Sequence, residues 1–223
     1  MYQELVLNND PKSIISETIR TLRTNLQFAS VDKKIKTILI TSSVPGEGKS
    51  FIAANLACAF AQSGSRVLLV DCDIRKGRQH YIFNSHNKSG LSNLLLENVK
   101  EKYMDYIQET RIKNLSVMFR GVTPPNPSEL LGSSKNKELI EILRNEYDIV
   151  IFDSAPINGG LTDSIIMSTL VDGVVVVSSC KETPISLLNN TKKSLQNVNA
   201  NILGVVLNRA ISKSKKYYGH YYG

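Results

Sequence analysis

Little in this 223-residue chain points to a metal-stapled, disulfide-bonded or membrane-spanning protein. The three cysteines, Cys58, Cys72 and Cys180, lie far apart and form no C-x-x-C pair, which argues against a zinc site and a disulfide framework. Cys58 sits in an apolar stretch and reads as a small core residue. The three histidines, His80, His86 and His220, have no metal-ligand spacing. No apolar run approaches the roughly 20 residues that a helix needs to cross a bilayer. The first residues do not resemble a secretory signal either, so the expectation is a soluble, cytoplasmic chain. No nucleic-acid motif accompanies the net charge of +7, and the basic residues are spread out except at Lys213-Ser214-Lys215-Lys216. That charge reads as a solvated surface suited to anionic lipid or an acidic partner, with no nucleic acid. There is no internal repeat and no long linker, so residues 1–223 are expected to form one domain.

What the chain does have is Ser42-Ser43-Val44-Pro45-Gly46-Glu47-Gly48-Lys49-Ser50. It follows the apolar run Thr37-Ile38-Leu39-Ile40 and precedes Phe51-Ile52-Ala53-Ala54-Asn55-Leu56-Ala57, an order that reads strand, glycine-bearing loop, helix. Such a loop aims several backbone N–H groups at one point, and the helix N-terminus adds partial positive charge there. Lys49 can reach β- and γ-phosphate oxygens, and the Ser50 hydroxyl can ligate Mg2+. Val44, Pro45, Gly46, Glu47, Gly48, Lys49, Ser50 and Phe51 are therefore the candidate nucleotide-binding loop. The pattern is G-x-x-x-x-G-K-[ST] with Ser43 in place of the first glycine. A glycine-rich surface turn is the bland alternative, and it leaves Lys49 and Ser50 unexplained.

Residues 1–9 show little periodicity and read as a mobile arm. Asp10-Pro11 reads as an N-cap and a first helical residue. Ile15, Ile19, Leu22 and Leu26 then recur at helical spacing as one apolar face. Glu17, Arg20 and Arg23 step along the opposite side, which by itself reads as a solvated face with an i,i+3 ion pair. Beyond them strands are expected at 36–41, 66–71, 115–119, 148–153, 173–178 and 202–207. Helices are expected at 49–62, 91–96, 134–145, 163–170 and 184–198. Residues 74–90 read as a loop, and the three prolines within 123–127 exclude regular structure there. Alternation of this kind indicates an α/β fold of the P-loop NTPase kind, a mostly parallel sheet with helices on both faces. Past Arg209 the pattern stops. Four of the nine tyrosines, Tyr217, Tyr218, Tyr221 and Tyr222, lie in the last seven residues. Either this tail docks on the body or a neighbouring subunit, or its hydroxyls are acted upon.

Two strands end in carboxylates, Asp71-Cys72-Asp73-Ile74-Arg75 and Asp153-Ser154-Ala155-Pro156. Ligands of parallel sheets bind outside the carboxyl ends of the strands. Strand alternation gives Asp71 and Asp73 a common orientation, so all three aspartates can converge on phosphates held by Lys49. One or two of them would complete a Mg2+ shell of oxygen ligands. Taken singly, each aspartate could equally cap a strand end.

These stretches carry a specific resemblance. Residues 43–50 look like a Walker A motif. Val67-Leu68-Leu69-Val70-Asp71-Cys72-Asp73-Ile74-Arg75 looks like Walker A′, and Ile149-Val150-Ile151-Phe152-Asp153-Ser154-Ala155-Pro156 looks like Walker B. With the tyrosine-rich tail, this set resembles the bacterial protein-tyrosine kinases of capsule and exopolysaccharide synthesis, in their stand-alone Gram-positive form. The resemblance implies transfer of the ATP γ-phosphoryl group to tyrosine, with Lys49, Asp71, Asp73 and Arg75 catalytic and Ser50, Asp73 and Asp153 holding Mg2+. Asp71 is the implied base, although Asp71 and Asp73 could exchange roles. Arg75 would stabilise phosphate charge or orient the aspartates. Asn208 and Arg209 fall where related folds recognise adenine. Glu17-x-x-Arg20-x-x-Arg23 is similar to the family's subunit-contact motif, which replaces the solvated-face reading. Pro124-Pro125-Asn126-Pro127-Ser128-Glu129-Leu130-Leu131 also resembles a family stretch.

The family further implies a homo-oligomeric ring, with an octamer as the suggested size, and phosphorylation of the tail in trans at Tyr217, Tyr218, Tyr221 and Tyr222. It implies a transmembrane polysaccharide co-polymerase adaptor whose cytoplasmic tail activates the kinase at the inner face of the plasma membrane. Other protein-tyrosine substrates and a cognate tyrosine phosphatase complete the implied partners. The chain departs from the family pattern at Ser43, at Phe51, where a small hydroxyl residue is common, and at Gly77, where proline is frequent. The main rival reading is a partitioning or cell-division ATPase switch, whose second P-loop lysine is replaced here by Val44. A nucleotide-gated scaffold without kinase activity is the non-enzymatic alternative.

Overall fold

Apolar strands separated by half-apolar helices bury both sheet faces by stacking into three layers. The computed structural model does this, and describes residues 4–29, 34–158, 160 and 162–210. The four tail tyrosines and the basic cluster at 213–216 lie outside the described residues. In chain order the elements are α1 (Val6–Asn9), α2 (Ile14–Gln27), β1 (Thr37–Ser42), α3 (Lys49–Gln62), β2 (Val67–Asp71), α4 (Gln79–Ile82), α5 (Leu91–Leu94) and α6 (Val99–Lys102). They continue with β3 (Gln108–Glu109), β4 (Leu115–Met118), α7 (Pro127–Leu131), α8 (Ser134–Glu146), β5 (Ile149–Asp153), α9 (Asp163–Ser168), β6 (Gly173–Ser179), α10 (Ile185–Asn197) and β7 (Ile202–Asn208).

The sheet order is β3-β4-β2-β5-β1-β6-β7, and only the β3–β4 pair is antiparallel. Successive side chains of a strand point to opposite faces, and each face here meets its own helices. Ile38, Ile40, Val67, Leu69, Ile149 and Ile151 pack under α2 and α3. Leu39, Leu68, Val70, Val150, Phe152 and Val176 pack with Leu139 and Leu143 of α8, Met167 of α9 and Leu195 of α10. α3 is buried almost all round, and Ala53, Ala54, Ala57, Ala59 and Ala61 let it lie close to the sheet. This central position holds the helix that carries Lys49 rigidly beneath β1.

Several expectations are corrected. Residues 4–9 do not form a free arm. Leu5 and Leu7 are buried, and Asn55 and Gln62 of α3 bond the backbone of Glu4 and Leu7. The cap of α2 is Ser13, whose hydroxyl accepts from Ser16 N at 3.2 Å, and not Asp10. Asp10 serves instead through its carbonyl, which accepts from Ser13 N and from the Ser13 and Ser16 hydroxyls. Ile15 is 50% exposed, so the buried face of α2 is carried by Ile19 and Leu26 with Leu22 beside them. The segment 74–90, expected to be a loop, contains α4. Pro127 opens α7 at the first helical position, where its missing N–H costs nothing. Among the described residues no helix is long and apolar enough to cross a membrane.

Candidate active site

β1 ends at Ser42, and the chain turns through Gly46 (φ +85°) and Gly48 (φ +93°) before α3 starts at Lys49. Gly48 has a second reason to be glycine: a Cβ there would lie 2.1 Å from Asn208 Nδ2. The loop is fixed from within. Glu47 is 2% exposed; its Oε2 accepts from Val44 N at 2.8 Å, and its Oε1 accepts from Ser179 N and the Thr183 hydroxyl. This carboxylate is turned inward and ties the loop to the end of β6. Asn208 Nδ2 donates to Glu47 O at 2.9 Å, and Arg209 donates to Gly46 O at 2.9 Å and to Glu182 at 2.6 Å. Both residues thus grip the loop from the end of β7. Ser43, the departure from glycine, is fully buried and accepts from the Thr191 hydroxyl at 2.9 Å. Pro45 is exposed, and Phe51 packs against the core layer of α2 and α3.

The carboxylates gather because β2 and β5 are neighbours with Asp71 opposite Asp153. Asp73 is brought in differently from the expectation. β2 ends at Asp71, and Asp73 lies in the turn beyond, where its N–H donates to Asp153 O at 3.0 Å. The turn, and not strand alternation, puts Asp73 Oδ2 3.2 Å from Lys49 Nζ. Asp73 Oδ1 accepts from Lys76 N at 2.9 Å. Asp71 and Asp153 are fully buried and half-satisfied. Asp71 Oδ2 accepts from Gln79 N at 3.0 Å, and Asp153 Oδ2 accepts from Gln79 Nε2 at 2.8 Å. Among the described residues, Asp71 Oδ1 and Asp153 Oδ1 have no donor. Ser50, at 4% exposure, lies beside them, with its carbonyl accepting from Gln79 Nε2 at 3.1 Å.

The electrostatics follow from this crowding. Burial, and then the Asp153 charge, push the Asp71 carboxyl well above the ordinary range against the pull of Gln79 N and Lys49. Burial also raises Asp153, opposed by Lys49, the Ser50 hydroxyl and Gln79. Burial pulls the Lys49 ammonium down, but Asp153, Asp73 and Asp71 together hold it above its usual value.

Arg75 points elsewhere. It makes a two-pronged pair with the buried Asp163, at 2.6 and 3.3 Å, and reaches Ser128 of α7 at 3.3 Å. Ser128 in turn donates to Asp163 at 2.6 Å, so the stretch 124–131 is joined to the carboxylate turn through Arg75. The exposed Glu17 and the half-buried Arg20 of α2 pair at 2.5 Å, and Arg23 donates to Thr24 at 3.4 Å. Sequence reasoning missed Gln79, Asp163, Thr183 and Glu182. Gln79 sat in a stretch read as loop, and the only signal was its nearness to Asp71-Cys72-Asp73.

The sequence family described as an AAA domain matches residues 35–209. The putative tyrosine-protein kinase CapB of Staphylococcus aureus is 42% identical over 220 residues, covering 98% of this chain and 95% of CapB. The tyrosine-protein kinase YwqD of Bacillus subtilis is also 42% identical, covering 100% of this chain and 92% of YwqD. The crystal structure of the chimerical protein CapA2B2 superposes with a TM-score of 0.88 at 43% identity, over 94% of this chain and 91% of that one. The chain belongs to the bacterial protein-tyrosine kinases. The fold expected from the sequence, P-loop class with a mostly parallel sheet, is the one observed. In this kinase the Lys49–Asp73 pair, at 3.2 Å, joins the P-loop to the aspartates at the ends of β2 and β5. Among its described residues no three His, Cys, Asp or Glu side chains form a metal cage by themselves. Ser50, the free Asp153 Oδ1 and the Asp73 carboxylate fit a hard cation that takes its remaining oxygens from phosphate and water, as Mg2+ does.

Proposed function

We propose that this kinase transfers the γ-phosphoryl group of ATP to Tyr217, Tyr218, Tyr221 and Tyr222 of a neighbouring copy, and so regulates capsular or exopolysaccharide synthesis. The observation that carries the reading is the set of buried, half-satisfied carboxylates, Asp71 and Asp153, around Lys49 at the foot of a phosphate-binding loop. The backbone amides of residues 46–50 hold the phosphates. Lys49 exchanges Asp73 for phosphate oxygens when nucleotide enters. Ser50 and Asp153 would hold Mg2+, with Asp73, one of whose oxygens Lys76 N already engages, contributing through water. When bound, Mg2+ neutralises charge between the β- and γ-phosphates.

The tyrosine oxygen attacks the γ-phosphorus, its proton passes to Asp71, and the bond to the β–γ bridging oxygen breaks so that ADP leaves. A tyrosine hydroxyl has a pKa of about 10. A carboxylate placed beside it helps to remove its proton. Arg75, held by Asp163 and Ser128, orients the turn that carries Asp73. Asn208 and Arg209 set the P-loop from the adenine side. Glu17, Arg20 and Arg23 make a heterologous contact that closes a ring. Each phosphotyrosine adds roughly −1.5 to −2 charges, which repels the tail from the carboxylates and dissolves the ring. Activation by the cytoplasmic tail of a transmembrane adaptor, reversal by a cognate phosphatase, and further tyrosine substrates belong to the same reading.

Incubation with Mg-ATP, alone and with the adaptor tail, followed by mapping of phosphotyrosine, tests the transfer: modified Tyr217–Tyr222 hydroxyls are expected, and bare ones favour an ATPase switch. Light scattering tests the ring. The Tyr217/218/221/222→Phe variant is expected to stay large after Mg-ATP while the unaltered chain shrinks; equal masses would refute dissociation by phosphorylation.

A further inference from the structure

The residue that touches most of this site is one that neither phosphate chemistry nor the motifs assign. Gln79 is fully buried at the start of α4. Its backbone N–H holds Asp71 Oδ2 at 3.0 Å, and its side-chain nitrogen holds Asp153 Oδ2 at 2.8 Å and Ser50 O at 3.1 Å. Both neighbours of that amide are acceptors, so the nitrogen must face them. One oxygen of each carboxylate is thereby occupied and the other left bare. A second observation concerns the same turn. A Cβ on Gly77 would lie 2.1 Å from Asp71 Oδ1 and 2.5 Å from Oδ2, and Gly77 N donates to Asp73 O at 2.6 Å. Gly77 has no positive φ, so the missing side chain serves space and not backbone strain. Asp71 rests in the hollow that it leaves.

We propose that Gly77 and Gln79 are the positioning residues of the site. Gly77 makes room for Asp71 Oδ1, and Gln79 holds Oδ2 of both Asp71 and Asp153, so that the two carboxylates are oriented together. Gln79 thereby couples the proton-accepting carboxylate to the metal-holding one. The proposal rests on the kinase reading for the roles of the two aspartates. Partners that orient metal-binding carboxylates typically change metal affinity or activity by about 10–100-fold when removed.

The test uses the full chain, the fluorescent nucleotide mant-ADP and MgCl2. Gln79→Ala is expected to raise the Mg2+ concentration at half-maximal tightening of mant-ADP by about tenfold, with affinity in EDTA within about twofold. Its kcat for phosphotyrosine formation should fall by about tenfold or more, with KM for ATP less affected. Gln79→Glu keeps the length but loses the donor, and should fall further. Gly77→Ala displaces Asp71 alone, so kcat falls while the Mg2+ midpoint stays. A Gln79→Ala chain with the unaltered midpoint and kcat overturns the proposal. So does equal weakening of mant-ADP with and without Mg2+, which would mark a packing role, or a Gly77→Ala chain with unaltered kcat. If the unaltered chain transfers no phosphoryl group, the kinase reading fails, and the Mg2+ titration still decides the role of Gln79.

Discussion

The two ends of the central sheet both carry buried or half-buried carboxylates, and they treat them in opposite ways. At the carboxyl ends of the strands, Asp71 and Asp153 each keep one oxygen without a donor among the described residues, and both are pushed up by burial. At the amino ends, Asp172 stands just before β6. Its Oδ2 accepts from Lys36 N and Thr37 N, both at 2.9 Å, and its Oδ1 faces Arg144 at 3.2 Å. Burial alone would raise Asp172, but these donors hold it below the ordinary carboxylate value. A satisfied carboxylate stitches β1 to β6 and stabilises the fold. An unsatisfied pair costs stability and is retained where a ligand completes it. The fold is thus anchored at one end and left incomplete at the other.

The largest test of this contrast is Asp71→Asn. The rate of phosphotyrosine formation should fall by about 100-fold or more, while the unfolding free energy stays or rises by about 1 kcal/mol, because an under-paired buried charge is gone. Loss of both activity and stability would break the comparison. Next comes Asp172→Asn, which should cost about 2 kcal/mol at neutral pH by denaturant unfolding and leave kcat unchanged.

The pH dependence separates the two more finely. Asp172 is depressed in the folded state, so its contribution is fully present above the unfolded pKa and is lost as pH falls through the folded one. Asp71 is raised, so its folded state favours the proton, and its destabilising effect appears as pH rises from the unfolded pKa through the folded one. Stability profiles of the two Asn variants should therefore approach that of the unaltered chain from opposite sides as pH drops from neutral, Asp172→Asn from below and Asp71→Asn from above. The smallest effect is expected for Asp148→Asn. It removes the charge from a single acceptor for Arg66 N beside the strand starts, at 2.8 Å, and should cost about 1 kcal/mol or less.

What the sequence made legible was whatever is local. The runs that became β1, β2 and β5 are apolar because both their faces are covered, and the loop after β1 announces itself by Gly46, Gly48, Lys49 and Ser50. What it hid depends on residues far away in the chain. Leu5 and Leu7 join the core beside α3, whose Asn55 and Gln62 bond the backbone of Glu4 and Leu7, and nothing local to residues 1–9 signals this. Ser13 outcompeted Asp10 as a cap because its hydroxyl reaches Ser16 N, a choice that propensity alone does not make. Asp73 was rightly placed near Lys49 for the wrong reason, since a turn beyond β2 delivers it. Glu47 reads as one more loop residue, yet it staples the loop to Ser179 and Thr183. Gln79 has no motif at all, and only the meeting of β2, β5 and α4 reveals it.

The central claim is that the incomplete end of the sheet passes a phosphoryl group to the tyrosine tail of another copy. Its most direct test mixes the unaltered chain with a mass-labelled Lys49→Met chain in Mg-ATP and maps phosphotyrosine on each by mass spectrometry. The account predicts phosphate on Tyr217, Tyr218, Tyr221 or Tyr222 of the Lys49→Met chain in the mixture, and none when that chain is incubated alone. A Lys49→Met chain that stays bare in the mixture, with the adaptor tail supplied, would contradict it.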